Sequence, residues 1–392
     1  MPTELSRHAL IIGAGIGGLA AGIALRQAGV EVDVFDQADG PRDAGAGISL
    51  WANAIHALKA LGLQGSIECA SLTYAAGGLR SWRGTILASL PVDELQRLFQ
   101  PPVIVMHRAD LLAALLEAFG KARVHTAARC VAIHQDEAEV TAVFADGRHV
   151  QGDLLIGADG LHSVVRAQLH GARRPRYAGC TAWRAVVPFD AQTVLPGESW
   201  GRGSVFGQVP MPALRERRES NGPGGRVYWY ATRNAPEGGR SPDEKAELRR
   251  LFRGWHEPIE ALIEAADPAT ILRNDIYDRP TLDVWGQGRA TLLGDAAHPM
   301  MPFLGQGGCQ ALEDAVVLGT CLRESGDVPA ALREYEARRV PRANRFVWMS
   351  RRAGRIAQLQ NPLAVALRNR LVSLVNPSAQ ARRLARLIEP RF

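Results

Sequence analysis

The sequence predicts an α/β fold in which a parallel-sheet domain is interrupted by a second, sheet-based domain and followed by a helical tail. Two observations support this prediction. Short apolar runs that end in glycine and an acidic residue alternate with helical segments in residues 1–73, 101–175 and 286–360, an alternation typical of a parallel sheet covered by helices. Between residues 176 and 285 the pattern changes to β-like runs rich in aromatic residues, which predicts a separate sheet.

Length and composition agree with a globular protein of two domains. The chain has 392 residues, of which 46% are apolar and 22% charged, and single cores seldom grow past about 300 residues. The net charge is +6, but the basic residues are almost all arginines spread beside acidic partners, with lysine only at 59, 121 and 245. Dispersed charge of this kind does not form a nucleic-acid surface. We therefore expect no nucleic-acid partner.

The cysteines and the N-terminal segment indicate where in the cell the protein is expected. The cysteines are odd in number and lack CxxC spacing, so neither a disulfide framework nor a bound metal is expected, and the reducing cytoplasm fits best. They stand at positions 69, 130, 180, 309 and 321. The apolar run His8–Leu25 contains five glycines and reaches polar residues too soon to cross a bilayer. We expect no integral membrane segment.

The first element pair is a strand–turn–helix–strand unit. Ala9–Ile12 reads as a buried strand, the turn GAGIGG occupies 13–18, a helix continues over Leu19–Gln27, and a second strand, Glu31–Phe35, ends on Asp36. In such a unit the first, third and sixth turn positions must be glycine, for the turn, for a pyrophosphate and for helix packing, while the acid accepts from a ribose hydroxyl. This is the Rossmann pattern, and it predicts dinucleotide binding.

Two helices follow before the next turn. A glycine-rich segment over residues 40–47 leads to a helix over Asn53–Leu61, and a second helix runs over Leu111–Phe119. Arg108 stands at its start, where a guanidinium reaches a phosphate or ribose or simply caps an exposed helix end. Residues 124–150 then alternate as a strand meander.

Glycine and aspartate follow two further buried strands. The second motif is GADG at 157–160, and the third is Gly-Asp after the strand Ala290–Leu293, with Asp295 at the turn. A segment that contains two prolines follows, and an amphipathic helix begins at the glycine-rich stretch Gly305–Gly308. Glycine lets backbone amides approach a ligand, and a helix N-terminus carries unpaired N–H groups and a partial positive charge. These features predict a site for a ligand with hydroxyls and an electron-rich edge.

The middle of the chain is interpreted as a substrate domain. Its β-like runs are Thr181–Pro188, Ser204–Val209 and Arg226–Thr232, and their alternation suggests one packed face and one face that lines a pocket. Core or sheet packing is the alternative for every aromatic residue there. The candidates for the pocket are Trp51, Trp183, Arg184, Phe206, Tyr228 and Tyr230.

Two helical segments complete the chain. Val328–Arg355 reads as a long arginine-rich helix, and Pro362–Leu387 adds a helical tail. The tail has the amphipathic character of a membrane anchor, but we expect it to pack on the body of the protein.

The three glycine–acid motifs, taken in order, resemble those of the single-component FAD-dependent aromatic hydroxylases, the group typified by p-hydroxybenzoate and salicylate hydroxylases. They are GAGIGG with Asp36, GADGLHSVVR at 157–166 and GDAAHPMMPFLGQGG at 294–308, and the resemblance covers nearly the whole chain. It implies a Rossmann-like FAD-binding domain interrupted by a β-sheet substrate domain, with a C-terminal helical tail. The FAD-binding parts would be 1–73, 101–175 and 286–360, the substrate-domain parts 74–100 and 176–285, and the tail 361–392.

The resemblance also assigns site residues. Cofactor contacts carried over from it are Gly13, Gly15, Gly17 and Gly18 at the pyrophosphate, Asp36 with Gln37 at the adenosine ribose, Arg108, Asp159 and Gly160, Asp295 at the ribityl chain, and Gly305, Gln306, Gly307 and Gly308 along the isoalloxazine. Many relatives have glutamate at the position of Asp36. The aspartate keeps the carboxylate but has a shorter reach. The residues placed nearest the chemistry are Pro302, Gly307 and Gly308. His298 lies in the same loop and is expected to be structural.

The activity that the resemblance implies is hydroxylation of a small aromatic or heteroaromatic substrate by molecular oxygen, through a hydroperoxide at flavin C4a. NADH or NADPH would reduce the flavin as a transient co-substrate, since the sequence contains no second GxGxxG unit. The amides of Gly307 and Gly308 would stabilise negative charge on the reduced flavin. The enzyme would act as a monomer or homodimer.

Three other functions remain open at this point. Flavin-dependent halogenases share the fold, but their WxWxIP motif has alanine at its second tryptophan in the nearest stretch here, Trp183–Pro188. An FAD-dependent epoxidase or reductase acting on an isoprenoid or polyketide would carry similar FAD motifs. A non-catalytic FAD-binding protein is the third alternative. The sequence identifies neither the substrate nor a catalytic base.

Overall fold

A five-stranded parallel sheet forms the centre of the larger domain. The computed structural model describes residues 7–40, 46–66, 72–73, 77–89, 97, 100–101, 103–211, 225–390 and 392. The strands, in spatial order, are β18 (Ala290–Leu292), β12 (Leu154–Gly157), β1 (His8–Ile12), β2 (Glu31–Phe35) and β8 (Val124–His125). All four pairings are parallel. The side chains of β12 and β18 are buried throughout, because helices cover both faces of such a sheet.

Helices pack on this sheet and share one continuous apolar core with it. They are α1 (Ile16–Gln27), α2 (Ala52–Ala60), α3 (Arg108–Phe119), α4 (Val164–His170), α7 (Gly307–Glu324) and α8 (Val328–Ala357). Helix α1 packs on α7 and on α3, where Gly22 leaves room for the ring of Phe119. A three-stranded antiparallel sheet lies beside them, formed by β9 (Cys130–Gln135), β10 (Val140–Phe144) and β11 (His149–Gly152).

A seven-stranded, mostly antiparallel sheet forms the second layer of the molecule. Its strands, in spatial order, are β17 (Leu272–Asp278), β13 (Arg176–Pro188), β16 (Arg226–Asn234), β15 (Ser204–Met211), β14 (Gly197–Trp200), β5 (Gly78–Ser81) and β6 (Ile86–Ser89). The last two strands lie within the predicted substrate-domain segment 74–100. One face of the sheet buries aromatic and aliphatic side chains against α5 (Glu244–Leu251) and α6 (Ile259–Glu264).

A small sheet lies between the two layers. It consists of β3 (Gly47–Leu50), β7 (Ile104–His107) and β4 (Leu72–Thr73), all antiparallel. Part of the predicted glycine-rich segment, residues 41–45, lies outside the described residues, as does Cys69. The other four cysteines are buried free thiols.

The C-terminal tail is helical, as predicted over Pro362–Leu387, and it divides into two helices. The helices are α9 (Pro362–Leu374) and α10 (Pro377–Ile388). The break follows from local chemistry, because the Asn376 side chain accepts from the amide of Ala379 and proline occupies the first position of α10. Helix α10 buries Leu387 and Ile388 against Phe346. No helix in the described part of the chain is long and apolar enough to cross a membrane.

Candidate functional site

Two adjoining cavities open at the carboxyl ends of the central parallel strands, the edge where ligands bind in open α/β sheets. Their volumes are about 590 and 680 Å³, within the range of small-molecule sites. The first is lined by the N-terminal glycine turn and the end of β2, and the second by the third motif and the seven-stranded sheet. Both are lined by Gly15, Arg108, Ala158 and Gly160, so the cavities form one elongated groove.

The four glycines of the first motif differ in whether the surrounding protein leaves space for a side chain. A Cβ added at Gly13, whose φ is +112°, would lie 2.3 Å from a backbone oxygen of the second motif, and one added at Gly18 would lie 1.9 Å from the Gly13 oxygen. At Gly17 it would meet a leucine side chain at 2.7 Å. These three glycines are therefore required by packing. Gly15 has no heavy atom within 4 Å of an added Cβ and lines both cavities, so its missing side chain leaves space in the groove itself.

Asp36 fixes the glycine turn and also faces the first cavity, beside Gln37. One carboxylate oxygen accepts from the amide of Ala14 at 2.7 Å and the other from the amide of Ala38 at 2.8 Å. Each carboxylate oxygen has a second lone pair. Asp36 can therefore hold the turn and accept from a ligand hydroxyl at once.

The second motif directs an unused acceptor at the groove. Asp159 Oδ2 accepts from the amides of Val164 and Val165 at 2.7 and 3.3 Å, at the start of α4. Its other oxygen is buried and has no hydrogen-bond partner among the described residues. Burial raises the pKa of this carboxyl above its ordinary value, against the effect of its hydrogen bonds. Because buried polar atoms are almost always paired, Asp159 Oδ1 indicates a donor on a bound ligand.

Arg166 links the second motif to the third, a role that sequence reasoning did not identify although the residue closes GADGLHSVVR. Its guanidinium donates to the carbonyls of Ala296 and Ala297 at 2.9 and 2.7 Å and to that of Pro280 at 3.1 Å. Burial, with the charges of nearby arginines, lowers the pKa of Arg166 to about 10. The loop that carries Asp295 is thereby held against α4.

Asp295 presents its carboxylate to the second cavity. The structure gives it no hydrogen-bond partner among the described residues. The side chain is accessible from the cavity, but the protein atoms that surround it remove bulk water from the carboxyl and raise its pKa, while the charges of His298 and Arg108 oppose the increase. A carboxylate with no protein donor at the wall of a cavity is suited to bind ligand hydroxyls.

The N-terminus of α7 points into the same cavity. Gly305, in the left-handed region at φ +60°, turns the chain so that the helix begins at Gly307, and no side chain caps it. Gly305, Gln306, Gly307 and Gly308 all line the cavity with Pro302. The unpaired amides and the helix dipole give this wall a partial positive charge.

A buried polar network ties this helix to the turn at Gly294. Asp314, on α7, accepts from the amide of Gly294 at 3.0 Å, from His298 Nε2 at 2.6 Å and from Arg339 Nε at 2.7 Å. Burial would raise the pKa of Asp314, but the charges of and hydrogen bonds from His298 and Arg339 lower it to about 2. Sequence reasoning missed Asp314 and Arg339. The His298 side chain is fully buried in this network.

The six predicted pocket residues divide between the two faces of the seven-stranded sheet. Arg184, Tyr228 and Tyr230 face the second cavity, and Trp51 lines it from the start of α2. Trp183 and Phe206 do not. Both are buried on the opposite face, under α5 and α6, which corrects the prediction for these two. The physical reason is the strand period, because neighbours such as residues 183 and 184 point to opposite faces.

The cavity-facing side of this sheet carries one acidic and one basic side chain, Glu198 and Arg184. Tyr230 donates to Glu198 at 2.5 Å, and Trp200 donates to the same carboxylate at 2.8 Å, so the Glu198 charge is partnered. Burial raises the pKa of Tyr228, opposed by the charge of Arg184 and a hydrogen bond with it. No carboxylate among the described residues forms an ion pair with Arg184, whose contact with Asn274 is 3.5 Å long. Sequence reasoning did not find Glu198.

If the groove holds FAD, as the sequence motifs imply, the Asp295→Ala variant should bind it more weakly. The carboxylate has no protein partner to lose, so the protein should fold as before, while ligand hydroxyls lose a charged acceptor that contributes about 1.5–3 kcal/mol. That corresponds to roughly 10- to 150-fold weaker binding. Equilibrium dialysis with FAD measures the change, and an affinity equal to that of the unaltered protein would contradict this placement of the turn.

Known proteins resemble this chain in sequence and in structure over most of its length. The family described as "FAD binding domain" matches residues 7–350. The chain is 43% identical to the Aurachin C monooxygenase/isomerase of Stigmatella aurantiaca over 370 residues, 94% of each chain. It is 36% identical to an FAD-dependent urate hydroxylase of Klebsiella pneumoniae over 355 residues, 88% of each. The crystal structure of Klebsiella pneumoniae HpxO complexed with FAD and uric acid superimposes with a TM-score of 0.90 at 32% identity, covering 97% of this chain and 96% of that one.

Proposed function

The chain belongs to the FAD-binding family of single-component aromatic hydroxylases, and we propose that it hydroxylates a planar aromatic or heteroaromatic molecule whose oxygen or carboxylate group binds Arg184. It is an FAD-dependent monooxygenase, an oxidoreductase that consumes NAD(P)H. The observation that supports the substrate class is the cavity between the third motif and the seven-stranded sheet, where Arg184 is a cation without an ion-paired carboxylate among the described residues.

We propose that FAD occupies the groove formed by the two cavities. In this proposal Gly15 makes room for the pyrophosphate, Asp36 and Gln37 face the adenosine ribose, and Asp295 accepts from the ribityl hydroxyls. Asp159 Oδ1, buried and without a described partner, would accept from a further donor on the cofactor. Gly13 lines the first cavity and Gly17 the second, so both stay predicted cofactor contacts in addition to their packing roles, while Gly18 supports the site through packing.

FAD would supply the redox chemistry, which takes reducing equivalents from NADH or NADPH and uses them to activate molecular oxygen. The protein contributes three things. The amides of Gly307 and Gly308 would stabilise negative charge on the bound flavin. Pro302 restricts the backbone conformation of the segment between the Asp295 turn and that helix, because its ring fixes φ. The apolar side chains of Met300, Leu304 and Leu384 line the cavity and limit the access of water to it.

Arg184 selects and orients the substrate in this proposal. It stands directly across from Tyr230 on the neighbouring strand and contacts Tyr228, so a guanidinium and two phenol groups face one end of the cavity. This combination suits a flat ring with an anionic or carbonyl oxygen. Trp51 and the loop from Met300 to Gln306 form another part of the lining.

Replacing Arg184 with Gln should raise KM by about 10- to 150-fold, the effect of one charge-assisted hydrogen bond, while kcat changes little. Arg184→Lys keeps the charge but lacks the planar guanidinium, so its KM should lie between that of the unaltered enzyme and that of Arg184→Gln. The measurement is NAD(P)H oxidation in a panel of phenolic and N-heteroaromatic acids, first to find the substrate and then to determine KM for each variant. An unchanged KM in Arg184→Gln would place the substrate elsewhere in the cavity.

The proposal also includes the cellular location of the enzyme. We place it in the cytoplasm, supported by the four described cysteines, all buried free thiols. No group of three or more potential metal ligands occurs among the described residues, and the proposed chemistry uses none.

A further inference from the structure

Helix α9 presents its leucines to solvent. Leu363, Leu367, Leu371 and Leu374 are 81%, 58%, 56% and 73% exposed, and their spacing of four, four and three residues places them along one side of the helix. We call these four residues the leucine row. Scattered exposed leucines need no explanation, but an apolar row along a helix marks a surface that binds something.

The rotation of α9 is fixed by the residue on its inner face. Arg368 is only 4% exposed, and its guanidinium donates to the carbonyls of Ala357 at 2.9 Å and Gly201 at 3.1 Å. It also lies 5.1 Å over the ring of Trp200. Turning the leucines inward would expose these carbonyls and move a buried charge, which is costly. The leucine row therefore stays on the outside of the folded chain.

The tail segment that carries the leucine row has charge of one sign. Residues 361–388 contain five arginines, at 368, 370, 382, 383 and 386, and no aspartate or glutamate. Arg370 is exposed beside Leu371, and Arg383 and Arg386 are exposed on α10. A symmetric dimer through this surface would bring the same arginines together, because an isologous interface pairs a patch with itself. The occupant of this surface should be apolar and negatively charged.

We infer that this chain docks on the surface of an anionic lipid bilayer through α9, with the leucine row among the acyl chains and the arginines at the phosphate headgroups. A helix with leucines on its outer side lies in the membrane interface when basic residues accompany it; here Arg370 is exposed beside Leu371, and Arg383 and Arg386 are exposed on the following helix. Anionic headgroups attract exposed arginines. An acidic protein is the less suitable occupant, because protein interfaces are rich in aromatic and hydrogen-bonding groups and the outer face of α9 offers leucine, alanine and arginine.

The test is flotation of the holoenzyme with vesicles of phosphatidylcholine alone or mixed with phosphatidylglycerol. We expect binding to the mixed vesicles that weakens with added salt, and little binding to phosphatidylcholine alone. The Leu367→Gln/Leu371→Gln variant should bind at least about tenfold more weakly, since two leucines leave the acyl region. The Arg383→Gln/Arg386→Gln variant should lose about fivefold for each arginine removed.

Leu195→Gln is the matched control, because Leu195 is 66% exposed and lies outside α9 and α10; it should bind like the unaltered protein. Unchanged FAD content in every variant shows that none is misfolded. Failure of the unaltered protein to float with the mixed vesicles would overturn the inference. A dimer in light scattering that the leucine variant dissociates, without vesicle binding, would assign the leucine row to a second copy and overturn it equally.

Discussion

Gly15→Val should purify as a folded, colourless apoprotein. Gly15 is the one glycine of its motif at which the protein leaves open space, with nothing within 4 Å of an added Cβ, and it lines both cavities. Its backbone, at φ −74° and ψ −177°, is extended and accessible to any residue. The branched side chain would therefore enter the groove without disturbing the fold and would occupy the position that we assign to the pyrophosphate. Absorbance at the flavin bands after gel filtration measures the cofactor content.

The control for this variant is Gly65→Val, since Gly65 also has open space around it but lines neither cavity. Gly65→Val should retain its flavin, and the melting temperature of Gly15→Val should equal that of the unaltered apoprotein. Gly15→Ala should lie between the two, with weakened binding. A Gly15→Val protein that carries a full complement of FAD would remove the first motif from the cofactor site.

Gly307→Val should bind FAD and lose about 10²–10³ in the rate of flavin reduction or of coupled hydroxylation, the usual effect of disabling one aligned backbone donor. A Cβ at Gly307 would lie 3.9 Å from both Asp295 Oδ1 and Met300 Cγ, an ordinary contact distance, so the protein itself tolerates the change. The side chain instead stands between the helix amides and the ligand. We expect slow reduction, or reduction followed by release of hydrogen peroxide without product.

Stopped-flow spectra at the flavin bands, with peroxide and product measured in parallel, separate these two outcomes. Gly307→Ala should show the same defect to a smaller extent, because its methyl group occupies less of the cavity. Reduction at the rate of the unaltered enzyme, with tight coupling of NAD(P)H to product, would remove the helix N-terminus from the mechanism.

The backbone-determined part of the site could be predicted from sequence, because glycine at defined spacing after a buried strand has few structural uses. The fold class, with its interrupted parallel sheet, followed from the same motifs and from the change to aromatic β-like runs. Sequence could not separate Gly15 from its neighbours, however. Gly13, Gly17 and Gly18 are required by contacts with the second and third motifs, and those contacts form only when distant segments meet.

Side-chain contacts across the fold were beyond the sequence for the same reason. Strand alternation requires Trp183 and Arg184 to face opposite sides, but which side meets the cavity is decided by the packing of α5 and α6 on the sheet. The buried interactions of Asp314 with Arg339 join residues 25 positions apart, and the contacts of Arg166 span more than a hundred. No local pattern marks such partners.

The central claim is that this chain transfers one oxygen atom from molecular oxygen to an aromatic ring. The most direct test supplies isotopically labelled oxygen to the purified holoenzyme with NAD(P)H and the substrate found in the acid panel, and determines the product by mass spectrometry. We predict a product that has gained one labelled oxygen atom, with one NAD(P)H consumed for each product molecule. A product without labelled oxygen, or NAD(P)H consumption that yields only hydrogen peroxide with every substrate of the panel, would contradict it.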